Sequence, residues 1–320
     1  MKTIGVLTSG GDAPGMNAAV RSVVRSAISK GMNVVGIRYG YNGLINNDIF
    51  PMDVRSVSEI IHRGGTFLYT ARCLEFKEEE GILKAVENCK KHGIEGIVVI
   101  GGDGSFRGAR DLSLHGIPCV GVPATIDNDI TSTDYTIGFD TAMDTAIQMI
   151  DRLRDTTQSH DRCSVIEVMG RHAGHLALQV GIAAGALSIL VPEVKCDVES
   201  VCKKIEITRK NGKKHFIIVV AEGFEVGVNE IAKQIEATTG VDTRATILGH
   251  VQRGGNPSVR DRVMASYMGS AAVDLLEKGI GNRVVCSCAG EIIDRDIYEA
   301  LQMKKPFDIE HYLMADKISL

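Results

Sequence analysis

The sequence predicts an α/β fold in two interleaved lobes, each a mostly parallel sheet sandwiched by helices. Short apolar runs alternate with amphipathic segments along the whole 320-residue chain, the β-α-β-α pattern of a parallel sheet. Several of these runs are continuous rather than alternating, which suits strands covered on both faces by helices. Glycine makes up 35 of the 320 residues and gathers where apolar runs end, the carboxyl ends at which such sheets bind ligands. The length is enough for a sizeable core and for division into two lobes. No Pro- or Ser-rich linker, low-complexity segment or short repeat interrupts the chain, so interleaved lobes are expected; the pattern alone does not fix their boundary.

In chain order the predicted strands are TIGVLTSGG, NVVGIRYG, GIVVIGGDGS, PCVGVP, CSVIEVMG, SILVPE, HFIIVVAEG, TRATILGH and NRVVCSCAG. Between the first two, NAAVRSVVRSAISKG carries a stripe of Val20, Val23, Val24, Ala27 and Ile28 at helical spacing, and Gly31 ends it. EGILKAVENCKKHG and VMASYMGSAAVDLLEKG carry similar stripes.

Hydrophobic residues make up 44%, charged residues 24%, and the net charge is −4, the balance of an ordinary globular protein. Basic residues are scattered rather than striped, which argues against a nucleic-acid or membrane surface and favours a small-molecule partner. The eight cysteines include no CxxC pair, so reduced, structural thiols are expected rather than a disulfide or zinc framework. Met1-Lys2 leads into TIGVLTSGG without an apolar leader, and no apolar run approaches the roughly 20 residues of a spanning helix. A cytoplasmic location is expected.

Two glycine-rich turns share one context. TSGGDAPG (8–15) opens the striped helix, and GGDGSFRG (101–108) follows IVVI and opens another. Glycines let the backbone approach a phosphate, and the N–H groups and dipole of a helix start favour an anion. Neither turn fits GxxxxGK[ST] or GxGxxG, so a P-loop or dinucleotide site is not supported. GGDGS adds Asp103, a hard oxygen ligand of the kind that holds Mg²⁺ beside nucleotide phosphates. The alternative is that Asp103 and Ser105 only cap the helix.

VPATIDNDI (122–130) sets Asp127 and Asp129 two positions apart. In an extended segment that spacing points both carboxylates the same way, and adjacent like charges need a cation, a proton or a donor to offset them. One acidic group can then serve as general base toward a substrate hydroxyl and the other can hold metal. A cluster of Asx turns is the plainer alternative. Arg72, Arg171 with His172, Arg244, His250 and Arg253 sit in or just beyond strand ends, and arginine grips phosphate with a two-pronged donor geometry. Together they suggest a second, phosphorylated ligand.

GGDAPGMNAAVR, GGDGS, PATIDND, MGRHAGHLA, AEG and GHVQRGG appear in the order and spacing of the bacterial 6-phosphofructokinase family, which the chain resembles from about Thr3 to its last helix. GGDG alone is shared with NAD kinases and diacylglycerol kinases; PATIDND and GHVQRGG separate this chain from them. The resemblance implies transfer of the ATP γ-phosphoryl group to the C1 hydroxyl of fructose 6-phosphate, with Mg²⁺, in an allosteric homotetramer. It implies a larger ATP- and Mg²⁺-binding lobe of residues 1–138 and 251–301, and a smaller sugar-phosphate lobe of residues 139–250 and 302–320.

Carried over by position, the resemblance makes Asp127 the general base, with Thr125, Arg171 and Arg72 sharing in catalysis. Asp103 and Asp129 match carboxylates near magnesium. Gly11, Tyr41, Arg72, Cys73, Gly102, Asp103, Gly104, Ser105 and Gly108 fall where the family binds ATP. Thr125, Ile126, Met169, Gly170, Arg171 and Glu222 match substrate contacts. His250 and Arg253 match donors to the 6-phosphate, joined by Arg162 and Arg244 from a neighbouring subunit. Arg21, Arg25, Arg154, Gly185, Lys213, Lys214 and His215 match a site for ADP or phosphoenolpyruvate; a solvated basic face is the alternative there.

Two features qualify the resemblance. Gly104 and Ala124 are small where pyrophosphate-dependent relatives typically carry Asp and Lys, so ATP is the expected donor. Leu187 stands where the family usually has a Glu that holds effector magnesium, so activation by Mg-ADP is expected to be weak or altered. A pyrophosphate-dependent enzyme, another GGDG-type kinase and a silent nucleotide sensor are the competing readings; Asp103, Asp127 and Arg171 speak against the sensor.

Overall fold

A computed structural model describes residues 1–319. The chain begins with β1 (Thr3–Ser9), α1 (Met16–Ser29), β2 (Asn33–Ile37), α2 (Tyr41–Ile45), β3 (Ile49–Met52), α3 (Glu79–Lys91), β4 (Gly96–Gly101), α4 (Asp103–Leu114) and β5 (Cys119–Pro123). It continues through α5 (Phe139–Ser159), β6 (Cys163–Val168), α6 (His175–Ala183), β7 (Ser188–Leu190), α7 (Val198–Lys210), β8 (Phe216–Ala221), α8 (Val228–Thr239) and β9 (Thr243–Ile247). It closes with α9 (Val259–Glu277), β10 (Arg283–Cys288), β11 (Glu291–Asp296), α10 (Ile297–Gln302) and α11 (Ile309–Ile318). Two compact units result: one from residues 1–126, 130–141 and 253–305, the other from residues 127–129, 142–252 and 306 onward.

The first unit holds a sheet in the order β11-β10-β5-β4-β1-β2-β3. Its interior strands pair in parallel, while β3 and β11 close the edges antiparallel. Neither edge strand is read from the sequence. β3 is a four-residue strand containing Pro51, which lacks the N–H that an interior position requires; β11, EIIDRD, is largely polar and partly exposed, as edge strands often are. One sheet face buries Leu7, Ile37, Ile97, Val99, Cys119 and Val284 against Leu44, Ile82, Phe106 and Leu112 of the helices. On α1 and α9, which pack together, a side chain at Gly269 would fall 2.9 Å from the Ala19 carbonyl, so this close crossing requires glycine. Ser22 Oγ donates to the Ser266 carbonyl there at 2.6 Å.

The second unit holds a wholly parallel sheet in the order β7-β8-β6-β9. FIIVVA in β8 is buried at every position, which explains why it reads as a continuous apolar run. Val165, Ile218 and Val220 join Ile205 of α7 and Ile231 and Ile235 of α8 in its core.

Candidate active site

In the first unit the carboxyl ends of β1, β4 and β5 stand side by side, with Ser9 and Pro123 in register on either side of Gly101. The chain leaves β1 for β2 on one side, while β4 and β5 follow on the other. The glycine turns after β1 and β4 therefore meet at the sheet's topological switch point, where doubly wound folds take ligands. Gly101 makes that meeting possible, since a Cβ there would lie 2.4 Å from the Ser9 carbonyl and 2.5 Å from Ser105 Oγ.

Around the second turn the sequence-predicted nucleotide residues converge. The Tyr41 hydroxyl donates to the Ser105 carbonyl at 2.5 Å, and its ring stacks on Phe76 with centroids 4.2 Å apart. Burial pushes the Tyr41 phenol well above its usual range, so it acts as a neutral donor. A side chain at Gly108 would strike that ring at 2.6 Å, and Cys73 packs against the same cluster. Gly104 opens onto space: a Cβ there would meet no atom within 4 Å. A Cβ at Gly102 would lie 3.9 Å from that of Thr125, and Arg72 is exposed.

The capping alternative for Asp103 is not realised. Gly102 occupies the cap position of α4 without a side-chain bond, and Asp103 lies in the first turn. Its carboxylate accepts from Arg107 Nε at 3.0 Å and is 41% exposed, within reach of a ligand. Arg253, grouped by resemblance with the 6-phosphate donors, sits on the first glycine turn: its Nη1 donates to the Asp12 carbonyl at 3.1 Å, and a side chain at Gly11 would collide with it.

The expectation of an extended TIDND segment is corrected. Regular strand ends at Pro123, and Asn128 adopts φ 49°, so the chain turns between the two carboxylates and strand alternation does not set their direction. Asn tolerates this left-handed conformation better than most residues. Asp127 is 5% exposed and Asp129 half-buried. Ile126, matched to a substrate contact, is wholly buried, so the structure does not present it to a substrate. Upstream of this turn, Thr136 Oγ1 donates to the Thr125 carbonyl at 2.7 Å and the Ile137 N–H to the Pro123 carbonyl at 3.0 Å.

Asp261, which no sequence motif marks, anchors the segment that makes those bonds. Fully buried, its carboxylate accepts from the Tyr135 hydroxyl at 2.5 Å and the Gly138 N–H at 2.6 Å through Oδ1. Oδ2 accepts from the Thr141 N–H at 2.9 Å and the Thr141 hydroxyl at 2.5 Å. Partners this distant in sequence leave no local signal.

In the second unit the turn after β6 is held by side-chain acceptors. Glu222 Oε1 accepts from the N–H groups of Arg171 at 2.5 Å and Gly170 at 3.3 Å, and Gln252 Oε1 accepts from that of Met169 at 3.4 Å. Gln252, fully buried, is another residue that sequence reasoning does not single out. Arg171 takes φ 60° and presents an exposed side chain. Burial and then Glu222 push the nearby Glu167 carboxyl up.

Arg162 and Arg244 lie elsewhere. Arg162 precedes β6 and Met169 follows it; at about 3.3 Å per residue, roughly 20 Å of strand separates them. Arg244 is likewise at the start of β9, whereas the exposed His250 lies beyond its end. Asp242 pairs with both arginines, at 2.5 Å from Arg162 Nε and 3.1 Å from Arg244 Nε.

The basic residues matched to an effector site divide between the units. Arg154 donates to the Ala184 carbonyl beside the Gly185 turn. Lys213 lies near enough that burial, then Arg154, hold its pKa below the usual lysine range. Lys214 Nζ is 3.8 Å from Asp161, and His215 is half-buried. Arg21 and Arg25 lie on α1 in the first unit, where burial and then Arg25 lower the Arg21 pKa. Leu187 is 1% exposed and part of the second unit's apolar core.

Residues 3–276 match the family described as Phosphofructokinase. The chain belongs to the phosphofructokinase family. Its similarity to the ATP-dependent 6-phosphofructokinases of Bacillus mycoides (strain KBAB4) and Bacillus cereus (strain AH187) is 57% identity over 320 residues, the full length of both chains in each comparison. Among solved structures, phosphofructokinase from Saccharomyces cerevisiae aligns with a TM-score of 0.89 and 35% identity over 94% of this chain, which spans 45% of the yeast chain. A pyrophosphate-dependent phosphofructokinase from Marinobacter aquaeolei, 23% identical, aligns with a TM-score of 0.86 over 97% of this chain and 86% of its own, which shows the shared phosphofructokinase fold. Among the described residues no helix is long and apolar enough to cross a membrane.

Proposed function

We propose that this phosphofructokinase transfers the γ-phosphoryl group of ATP to the C1 hydroxyl of fructose 6-phosphate, giving fructose 1,6-bisphosphate in glycolysis. The observation that carries the reading is the meeting of both glycine turns and Thr125 at the β1, β4 and β5 ends, in a chain 57% identical over its full length to ATP-dependent 6-phosphofructokinases.

The nucleotide phosphates lie over the glycine turns, where backbone N–H groups at the start of α4 face them. Tyr41 shapes the turn through Ser105, and the open space at Gly104 leaves room for the donor beyond its reacting phosphate. Arg72 and Thr125 contact the transferring group. Asp127 takes the C1 hydroxyl proton; its burial limits the water that would compete for that base. On the sugar side, Glu222 orients the 169–171 turn, and Arg171 and His250 contact the substrate. Phosphoryl transfer demands mainly positioning and charge neutralisation of this kind.

Asp103 and Asp129 would hold Mg²⁺, which when bound neutralises charge on the nucleotide phosphates. Two carboxylates suit this ion, because Mg²⁺ takes one or two carboxylates with phosphate and water as its other ligands, and the Asp103 carboxylate is 41% exposed and open to such ligands.

Arg162 and Arg244 serve a neighbouring subunit of a cytoplasmic homotetramer. Their position a strand length from Arg171 supports that arrangement, because one chain has no short route from them to its own 169–171 turn. The basic residues around Arg154 and Lys213, with Arg21 and Arg25, receive ADP or phosphoenolpyruvate as effectors. A coupled assay with ATP, Mg²⁺ and fructose 6-phosphate tests the reaction; faster turnover with pyrophosphate than with ATP would overturn the choice of donor.

A further inference from the structure

Asp242 lies between the two arginines just described, and neither a substrate contact nor a catalytic role accounts for it. It occupies the residue before β9, and its carbonyl accepts from the Cys163 N–H at 2.9 Å, at the start of the adjoining strand β6. The backbone beneath its side chain is therefore fixed to both strands that carry the arginines. One oxygen serves each guanidinium, Oδ2 for Arg162 at 2.5 Å and Oδ1 for Arg244 at 3.1 Å.

The closest approach in both pairs is through Nε. The terminal amino nitrogens, which with Nε make the two-pronged edges of arginine, are the ones a phosphate can take from the outer side. Exposed ion pairs add little to folding stability, and Asp242 and Arg244 are 37% and 66% exposed, so stability alone is a weak reason for the arrangement. Arginine has a long, rotamer-rich side chain, and immobilising each one opposes binding. A carboxylate that restrains both beforehand removes part of that cost. Two guanidiniums and one carboxylate also leave the group cationic, so it still attracts a phosphate dianion. Arg162 holds the Asp242 carboxyl below the usual range, with Arg244 adding to the effect, which keeps the restraint ionised at neutral pH.

We propose that Asp242 is a positioning residue that joins Arg162 and Arg244 into one preset clamp for the phosphate of the sugar substrate. The inference rests on the proposed role of these arginines in binding that phosphate, and it adds a residue that touches neither substrate nor the reacting atoms.

Steady-state kinetics of the full-length enzyme test it with Asp242→Asn, Asp242→Glu, Arg162→Ala and Arg244→Ala. Loss of the restraint is expected to raise KM for fructose 6-phosphate about tenfold in Asp242→Asn, with kcat, KM for ATP and Tm little changed. Asp242→Glu, which keeps the charge, should return KM most of the way. An unchanged KM in Asp242→Asn while both arginine variants raise it would overturn the clamp and leave the phosphate role standing. No KM change in either arginine variant would overturn both. A KM as high in Asp242→Glu as in Asp242→Asn, or a fall in kcat in place of the KM change, would also reject positioning by the carboxylate.

Discussion

Gly138 donates its backbone N–H to Asp261 Oδ1 at 2.6 Å, across 123 residues of sequence. The same carboxylate takes Tyr135 and both donors of Thr141, so it secures the segment that braces Thr125 from the far side. Asp261→Asn exchanges one accepting oxygen for a donor amide. Because each oxygen already receives two donors, either orientation of the amide sets N–H against N–H or O–H. We expect a loss of about 2–4 kcal/mol, from buried donors left without an acceptor, measured by denaturant unfolding; an unchanged midpoint would remove Asp261 from this role.

Asp127 sits 5% exposed at the turn. Asp127→Ser is expected to retain the fold and fructose 6-phosphate binding while kcat falls by about 10²–10⁴-fold, the usual contribution of a placed base. Binding by calorimetry together with turnover separates the two effects. Turnover near that of the parent would assign the base elsewhere.

The space around Gly104 makes a clean test of donor choice. Gly104→Asp should leave Tm unchanged or slightly higher, since a carboxylate in the first turn of α4 favours the helix dipole by about 0.3–1 kcal/mol. Its charge should nevertheless oppose the nucleotide phosphates and lower kcat/KM for ATP. An ATP titration checks this, and undiminished use of ATP would count against the placement of the donor over this turn.

Leu187, 1% exposed in an apolar core, offers no side-chain oxygen to a cation. Fructose 6-phosphate saturation curves taken with ADP should therefore respond little to whether Mg²⁺ accompanies the nucleotide at the effector site. Strong magnesium-dependent activation, measured at fixed Mg-ATP, would show that another group supplies the missing ligand.

His115 ends α4, with Nε2 at 2.9 Å from Glu79 and Nδ1 at 2.8 Å from the Asp111 carbonyl. The Asp111 bond first, then Glu79, raise its pKa. A raised folded-state value means that the stabilisation is fully present below the unfolded pKa of about 6.5 and is lost as pH rises through the folded one. His115→Ala should cost about 0.2–1 kcal/mol under mildly acidic conditions and progressively less as pH rises. Unfolding midpoints of both proteins across that range check the trend, and a pH-independent difference would refute it.

Much of the fold and site is legible in the sequence because the signals are local. The strand FIIVVA is apolar throughout because both its faces are covered, and GGDGS is glycine-rich because its backbone must approach Ser9 and leave room beyond. The edge strands escape notice for the converse reason: β3 contains a proline and β11 is polar, and either segment resembles a loop until a neighbouring strand pairs with it. TIDND reads as extended from the spacing of its aspartates, yet the φ of Asn128 is set by the turn around it.

By itself, the amino-acid sequence determined the α/β class, the glycine turns and the residue types available for phosphoryl transfer, since apolar periodicity and backbone permissiveness act over a few positions. Only the tertiary structure decided that Asp261 grips Gly138, that Gln252 and Glu222 hold the 169–171 turn, and that Asp242 unites Arg162 with Arg244. A buried or shared carboxylate finds its partners through the packing of distant strands and helices, and that proximity has no counterpart in the order of the chain.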